Sequence, residues 1–254
     1  MDNKLKIAIV QTNLIWKDKR ANLSNIEDMI NGVVEPVDVF VLPELFNTAF
    51  CIDDVMLAED NNGKTIQWML QMAVNKQAVL CGSILWKAQQ QFFNRCLWVT
   101  PNGEIKSYDK HQLFSLVGEQ NYLTKGTAKT IFLYKGWKIQ PFICYDLRFP
   151  AWCQNDAQAD VQLYVANWPQ KRIHHWKLLL QARAIENQCY VVGVNRIGAD
   201  FYGNAHNGQS ATIDFTGNIV ADAKERDGIE IVEISKDELE KHRQRYSFWK
   251  DRTI

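Results

Sequence analysis

Three residues whose side chains can take part in acyl transfer stand where predicted strands end: Glu44, Lys110 and Cys144. A carboxylate can move protons, an ammonium can stabilise an oxyanion, and a thiolate is a strong nucleophile. Ligands of open α/β sheets bind beyond the carboxyl ends of the strands. A Cys at a strand-to-helix turn also lies near free backbone N–H donors. These positions indicate a candidate site for attack on a carbonyl group.

Each of the three residues also has an ordinary structural explanation. A Glu after a buried strand is often a solvated or capping carboxylate, and a Lys in a polar loop is often a surface charge. A free Cys at an apolar strand end often belongs to the core, where it behaves as a small hydrophobic residue. Position alone therefore leaves the catalytic and the structural interpretation open.

The charge balance argues against two classes of partner. The chain has 254 residues, with 29 Lys plus Arg and 29 Asp plus Glu, so its formal net charge is zero. That balance provides no basic field for nucleic acid or anionic lipid. No run reaches the ~18 apolar residues that a membrane helix needs, and the N-terminus lacks the apolar region of a signal peptide. We expect a cytoplasmic protein that binds neither nucleic acid nor membrane.

The six cysteines follow no metal-binding pattern. They stand at positions 51, 81, 96, 144, 153 and 189. No pair has Cys-x-x-Cys spacing, and no His stands at zinc spacing from them, so we expect no metal site. Most lie in apolar runs, which fits a reducing compartment with one reactive thiol among inert ones.

Hydrophobic periodicity predicts the elements that would hold these residues. Apolar residues three and four apart predict helices over 22–34, 63–77 and 173–188, followed by a polar helix over 236–246. Apolar runs predict strands over 6–10, 37–42, 78–86, 92–100, 131–134, 138–144, 161–166, 189–195, 209–214, 218–222 and 230–234. Hairpin turns such as Pro101-Asn102-Gly103 interrupt the alternation of helix and strand. The pattern predicts one α/β domain over 1–254, with a mixed sheet covered by helices.

The strings around the three residues resemble the nitrilase superfamily of carbon–nitrogen hydrolases, from Lys6 to the C-terminal region. In the order of the family's motifs, the strings are Leu42-Pro43-Glu44, Tyr108-Asp109-Lys110-His111-Gln112-Leu113-Phe114 with Gly118-Glu119, Ile143-Cys144-Tyr145-Asp146-Leu147-Arg148-Phe149-Pro150, Asn167-Trp168-Pro169, Arg183-Ala184-Ile185-Glu186-Asn187-Gln188 with Asn195-Arg196-Ile197-Gly198, and Gly208-Gln209-Ser210 with Asp214 and Gly217. Six blocks in the family's order make the resemblance specific. The run 164–169 and the pair His175-Trp176 are most similar to the bacterial omega-amidase branch. Ala151 departs from the Glu that many members have there.

The resemblance implies a catalytic triad. Cys144 would attack the amide carbon, Glu44 would shuttle the proton, and Lys110 would stabilise the oxyanion with help from the Tyr145 backbone N–H. Glu119 would support the site by orienting Lys110 and the substrate. No cofactor is implied, because side chains do all the proton and charge work.

The resemblance also implies a four-layer α-β-β-α sandwich of the nitrilase type. It further implies a homodimer, with the C-terminal segment, about 236–254, as the contact arm. Aromatic residues after the polar helix suit docking on a partner subunit, although docking on the chain's own domain is an equal alternative.

The omega-amidase branch implies a small amide substrate, the terminal amide of a 2-oxo acid such as 2-oxoglutaramate or 2-oxosuccinamate. Such a substrate carries a carboxylate remote from the scissile bond, which Arg148 could grip with two hydrogen bonds. The structural alternative is an Arg148 ion pair with Asp146 or another carboxylate. Candidate pocket walls are Phe46, Phe114, Trp168 and Tyr202.

Two other functions remain open from the sequence. The same triad could act on another C–N bond, in an aliphatic amide, an N-carbamoyl amino acid or a nitrile. The chain could also be a non-catalytic binding protein on this fold, although all three triad residues are present.

Overall fold

The computed structural model describes residues 3–251, which form two six-stranded sheets and a small hairpin. The strands are β1 (Lys4–Gln11), β2 (Val39–Val41), β3 (Val79–Ala88), β4 (Gln91–Val99), β5 (Ile105–Asp109), β6 (Phe132–Tyr134), β7 (Trp137–Ile143), β8 (Val161–Ala166), β9 (Tyr190–Asn195), β10 (Ile197–Ala199), β11 (Ala205–Asn207), β12 (Ser210–Ile213), β13 (Ile219–Lys224) and β14 (Gly228–Ser235). The helices are α1 (Lys19–Asn31), α2 (Lys64–Lys76), α3 (Pro150–Cys153), α4 (Ile173–Asn187) and α5 (Lys236–Arg245).

The first sheet has the order β14-β1-β2-β3-β4-β5, with β1, β2 and β3 parallel. Its three parallel strands have apolar residues on both faces, as expected for a sheet that is covered on both sides. One face, with Phe40 and Leu80, packs against Ile26 of α1 and Ile66 of α2. The other face belongs to the core that it shares with the second sheet.

The second sheet has the order β13-β12-β9-β8-β7-β6, with β7, β8 and β9 parallel. Helix α4 covers its outer face and approaches β9 closely at Gly193. A Cβ at Gly193 would lie 2.5 Å from a methyl carbon of Leu180 and 2.8 Å from the ring of Trp176. Glycine therefore sets the depth at which α4 packs.

The layers run α1 and α2, first sheet, second sheet, α4, so the predicted α/β four-layer α-β-β-α sandwich is confirmed. The mixed sheet covered by helices, which the periodicity predicted, is also confirmed, but the division of the strands into two sheets could not be read from the periodicity, because strand runs do not reveal which strands pair. The β10–β11 hairpin escaped prediction because its three-residue strands carry few apolar residues. Between residues 3 and 251, no helix is both long and apolar enough to span a bilayer.

The C-terminal segment packs on the chain's own second sheet as far as the structure describes it. In α5, Leu239 is 0% exposed and belongs to the core that the two sheets share. Arg243 donates to the carbonyl of Ala159 at 2.6 Å and forms an ion pair with Asp160 at 3.2 Å. Residues 252–254 of the predicted contact arm lie outside the described residues, and its role in a dimer stays a prediction.

We expect Leu239→Ala to lower the free energy of unfolding by about 2–5 kcal/mol, because it leaves a cavity under α5. Denaturant unfolding measures the change. The control is Leu133→Ala on β6, where the side chain is 59% exposed and a smaller loss is expected. Equal stability of the two variants would mean that α5 does not pack on this sheet in solution.

Candidate active site

Residues from both sheets meet at one edge of the sandwich. Glu44 follows β2 and Lys110 follows β5, two strands of the first sheet that run in the same direction. Cys144 follows β7 of the second sheet and begins a 3-10 turn that extends to Arg148. Because the carboxyl ends of these strands share one edge, residues 66 and 34 positions apart in the chain come together.

The Lys110 ammonium lies between two buried carboxylates. Its Nζ donates to Glu44 Oε1 at 2.9 Å and to both oxygens of Glu119, at 3.0 and 2.9 Å. The exposed fractions of the three side chains are 1%, 0% and 0%. Burial opposes the charge on Lys110, but the charges of Glu119 and Glu44 outweigh that effect and raise the pKa of Lys110. Lys110 is therefore a permanent cation at neutral pH.

Main-chain and amide groups satisfy the remaining carboxylate lone pairs. Asn94 Nδ2 donates to Glu44 Oε1 at 2.8 Å, and the Asn167 backbone N–H donates to Glu44 Oε2 at 2.8 Å. The Phe114 backbone N–H donates to Glu119 Oε2 at 2.6 Å. These bonds fix the orientation of both carboxylates. Glu119 lies beside Lys110, where it was predicted to lie, and its supporting role stays a prediction.

Cys144 adopts a backbone conformation that side chains other than glycine rarely take. Its φ is +44°, in the left-handed region, at the junction of strand and 3-10 turn. Such a conformation costs on the order of 1–3 kcal/mol and must be held by its surroundings. Burial and the charge of Glu44 raise the pKa of the thiol, against the lowering effect of Lys110. The resting side chain is therefore the thiol, and attack requires a base.

The free N–H groups at the start of the 3-10 turn include that of Tyr145, the predicted oxyanion donor. The first N–H groups of a helix have no acceptor within it. The Tyr145 ring lines the cavity and packs against Phe114 at 4.8 Å between ring centroids. The geometry is compatible with the predicted role, which stays a prediction.

A cavity of about 170 Å³ opens beside Lys110 and Cys144. Four aromatic side chains and a cluster of cations form much of its wall: Phe50, Phe114, Tyr145, Trp168, Arg148, Lys171 and Arg172. Phe114 and Trp168 were predicted as walls and do line it. The prediction was wrong for Phe46 and Tyr202. Phe46 lies in the core under α1 and α2, and Tyr202 is a surface residue packed against Trp16.

Arg148 faces this cavity without an acidic partner in the described part of the chain. Its guanidinium lies 4.6 Å from the Trp168 ring centroid, and Nη2 lies 3.2 Å from His175 Nδ1. Burial and the charge of Arg172 lower the pKa of Arg148. The alternative partner, Asp146, is instead bonded to Tyr108, Gln112 and Ile143.

Arg172, Asn94 and His206 also belong to the site and were not predicted from the sequence. Arg172 is the N-cap residue of α4, and its guanidinium lies 5.5 Å from the Phe114 ring centroid. Cations are unfavourable at a helix N-terminus, so Lys171-Arg172 just before the predicted helix was a readable signal of an anion site. Asn94 and His206 gave no comparable signal, because their contacts depend on long-range pairing.

His206 is a neutral member of the cavity wall. Its Nδ1 lies 3.0 Å from the Asn204 carbonyl, which can only accept, so Nδ1 carries the proton. Burial, with a further contribution from the charge of Arg196, lowers the pKa of His206 to about 4. His206 therefore does not gain charge near neutral pH.

The arrangement combines a thiol, a carboxylate whose charge acts on that thiol, and a fixed cation, beside a cavity whose wall carries three more cations. A thiol, a carboxylate and a cation can together form and break an acyl–sulfur bond. The three cations of the wall can hold an anionic group of the ligand.

We expect iodoacetamide to alkylate one thiol of the folded protein, because Cys144 is partly exposed and the other five cysteines are buried. Since the pKa of Cys144 is raised, the alkylation rate should keep rising with pH through pH 9, the ordinary thiol value. Mass spectrometry and the rate between pH 6 and about 10 test this. A plateau beginning below about pH 7.5 would contradict a raised pKa.

The carbon–nitrogen hydrolase family model matches residues 6–244 of this chain. Omega-amidase YafV of Escherichia coli (strain B / BL21-DE3) is 40% identical over 250 residues, which are 97% of this chain and 96% of that protein. The 2-oxoglutaramate amidase of Bacillus subtilis (strain 168) is 33% identical over 240 residues, 92% of each chain. A Xanthomonas campestris CN-hydrolase superfamily protein, with an arsenic adduct in its active site, superimposes with a TM-score of 0.96. It is 36% identical, and the match covers 99% of this chain and 98% of that one. The resemblance to the nitrilase superfamily and its omega-amidases is confirmed, and the chain belongs to the carbon–nitrogen hydrolase family.

Proposed function

We propose that this enzyme hydrolyses the terminal amide of a small 2-oxo acid, 2-oxoglutaramate or 2-oxosuccinamate, to the acid and ammonia. Two relatives that match along nearly the whole chain, an omega-amidase and a 2-oxoglutaramate amidase, support an amidase of this class. Membership of the carbon–nitrogen hydrolase family limits the proposed reaction to hydrolysis of a C–N bond. The positive charge in the cavity wall favours a substrate that carries an anionic group.

The observation that carries the proposal is the pair of arginines, Arg148 and Arg172, that line the cavity of Cys144. Neither forms an ion pair with a carboxylate among residues 3–251. Two guanidinium groups close enough to affect one another's charge are unfavourable unless an anion joins them. A carboxylate of the substrate, bound through the guanidinium forks, would supply the missing charge.

The start of α4 adds to the positive potential of the two arginines. This helix has 15 residues and its N-cap is Arg172, with no acidic residue in its first turn. Its free N–H groups and dipole favour negative charge at the end where Arg172 lies. An uncharged aliphatic amide or a nitrile would leave this field without a counter-charge, which argues against those alternatives.

Acylation begins when the Cys144 thiol attacks the amide carbon and Glu44 takes the thiol proton. The carbonyl oxygen becomes an oxyanion, which Lys110 and the Tyr145 N–H stabilise. Glu44 then gives its proton to the amide nitrogen. The C–N bond breaks, ammonia leaves, and the acyl group remains on sulfur as a thioester.

Deacylation repeats the same steps with water. The water oxygen attacks the thioester carbon while Glu44 takes a proton from the water. Lys110 again stabilises the oxyanion. The C–S bond breaks, the sulfur takes back a proton, and the acid is released. One amide and one water give one acid and one ammonia.

We propose further that the enzyme is one domain over 1–254, works in the cytoplasm and forms a homodimer. The six cysteines are free thiols, which suits a reducing compartment. Exposed apolar side chains on α4 and near the C-terminus, Leu178, Ile185 and Phe248, would gain from burial against a partner.

Ammonia release from 2-oxoglutaramate by the wild type and Cys144→Ala tests the reaction, with butyramide as the amide that lacks a carboxylate. We expect turnover of the keto-amide far above that of butyramide, and loss of turnover in Cys144→Ala. Turnover that survives Cys144→Ala would refute the thioester mechanism. Preference for butyramide would refute the 2-oxo acid.

We expect Arg148→Gln and Arg172→Gln to raise KM for 2-oxoglutaramate, each by roughly 10- to 100-fold, because each removes a charge-assisted hydrogen bond of about 1.5–3 kcal/mol. Steady-state kinetics measure the change. The same variants should leave kcat/KM for butyramide nearly unchanged. The matched control is Arg20→Gln, an exposed arginine on α1. An unchanged KM in both cavity variants would refute carboxylate recognition by this pair.

A further inference from the structure

Asp146 is a buried carboxylate that the proposed chemistry does not use. It stands two residues after Cys144 within the same 3-10 turn and is 0% exposed. Its Oδ2 accepts from Tyr108 Oη at 2.7 Å and from the Ile143 N–H at 3.0 Å. Its Oδ1 accepts from the Gln112 N–H at 2.8 Å. Both oxygens are therefore engaged by donors on the chain itself.

The donors belong to the segments that carry the two reactive groups. Tyr108 and Gln112 stand two residues before and two residues after Lys110, whereas Ile143 immediately precedes Cys144. Tyr108 belongs to the first sheet, and Ile143 belongs to the second. One carboxylate thus connects the lysine segment of one sheet to the nucleophile turn of the other.

A second set of contacts supports the same connection. Trp152 Nε1 donates to Tyr108 Oη at 2.9 Å, so the hydroxyl is held from both sides. The Trp152 ring stacks on His111, with 3.5 Å between centroids and 9° between planes. Cys153 Sγ donates to the Asp146 carbonyl at 3.1 Å. Helix α3 therefore stabilises the 3-10 turn through contacts of Trp152 and Cys153.

We propose that Asp146 is a positioning residue that fixes Cys144 against Lys110 by fastening the nucleophile turn to the lysine segment. The proposal rests on the roles proposed above for Cys144 and Lys110. Asp146 touches neither the substrate nor the reacting atoms, and it acts through the backbone at Ile143 and Gln112.

The fold needs such a fastening for two reasons. Cys144 has a left-handed φ, which relaxes unless surrounding bonds hold it. The nucleophile and the oxyanion cation also come from different sheets, which share a core of apolar side chains. A hydrogen-bonded carboxylate fixes the two segments with defined directions, which apolar packing does not.

The cost of this carboxylate supports a role beyond packing. It has no ion-pair partner in the part of the chain that the structure describes. Burial raises its pKa to about 6, although three hydrogen bonds to its oxygens act in the opposite direction. An asparagine of the same shape would avoid the charge. It would also point an N–H₂ group at one of the three donors, so only a carboxylate satisfies all of them.

The experiment compares kcat, KM and crystal structures of the wild type and Asp146→Asn. We expect kcat for 2-oxoglutaramate to fall by about tenfold or more, because small misplacements of reacting groups are costly, with KM nearly unchanged. In the crystal structure, Cys144 should leave its left-handed φ or its sulfur should move away from Lys110 Nζ. An unchanged kcat per folded enzyme with unchanged geometry would overturn the proposal, as would a rise in KM alone.

Two further variants separate positioning from stability. Asp160→Asn changes another buried aspartate of the second sheet, which accepts from the Lys138 N–H at 2.9 Å at the opposite end of its strands. It should lose stability and keep kcat. Tyr108→Phe keeps the charge of Asp146 and removes one donor, so it should lower kcat less, again without changing KM. If Asp146→Asn does not fold, wild-type kcat in Tyr108→Phe overturns the proposal.

The wild type is assayed first, so that the two proposals can fail separately. No ammonia release from any amide by the wild type would refute the proposed function. The crystal structure of Asp146→Asn would then still decide whether this carboxylate holds the turn.

Discussion

The structure of the site depends on burying one ammonium between two carboxylates. Charged groups are expensive to remove from water unless they are paired and hydrogen-bonded. Lys110 pairs with both Glu44 and Glu119. Strand β4 contributes Asn94, and the segment after β8 contributes the Asn167 N–H. Much of the local fold thus supplies the hydrogen-bond donors that offset the free-energy cost of burying these charges.

The cluster carries one net negative charge, and that charge has a chemical effect. Burial of Cys144 raises the pKa of the thiol, and the charge of Glu44 acts in the same direction. In the proposed mechanism, the thiol therefore stays protonated until a carboxylate takes its proton, which couples attack to proton transfer. Arg148 and Arg172, in the wall of the adjoining cavity, contribute charge of the opposite sign. A ligand that is neutral at one end and anionic at the other matches this division.

The sequence predicted elements best where burial decided the pattern. The strand expected over 161–166 matches Val161–Ala166, because every residue in it is buried and polar residues bound it. Helix α4 was nearly as clear, ending at Asn187 instead of 188. The β10–β11 hairpin and the division into two sheets were not visible, because strand pairing is a long-range property. The four layers came from the family resemblance and not from periodicity.

The same limit applies to the site. Glu44, Lys110 and Cys144 were predicted to form a catalytic triad from the motifs around them. Their spacing in the sequence alone gave no reason to place the three residues in one site. Phe46 and Phe114 looked equally suited to a pocket wall. Both stand in segments that follow strands, and only the path of each segment in the fold sends one ring into the core and the other into the cavity. Arg172 was missed although the pair Lys171-Arg172 before the predicted helix was a readable signal, because only the fold brings this residue to the cavity of Cys144.

The sign of the buried cluster also bears on how a turnover ends. In the proposed reaction, hydrolysis replaces an uncharged amide with a carboxylate that forms beside Glu44 and Glu119, whose combined charge exceeds that of Lys110. The newly formed anion is repelled from the place where it was made, while the starting amide is not. Product departure is thus favoured by the same electrostatics that hold the resting thiol protonated. The reverse reaction and occupation of the site by its own product are disfavoured together.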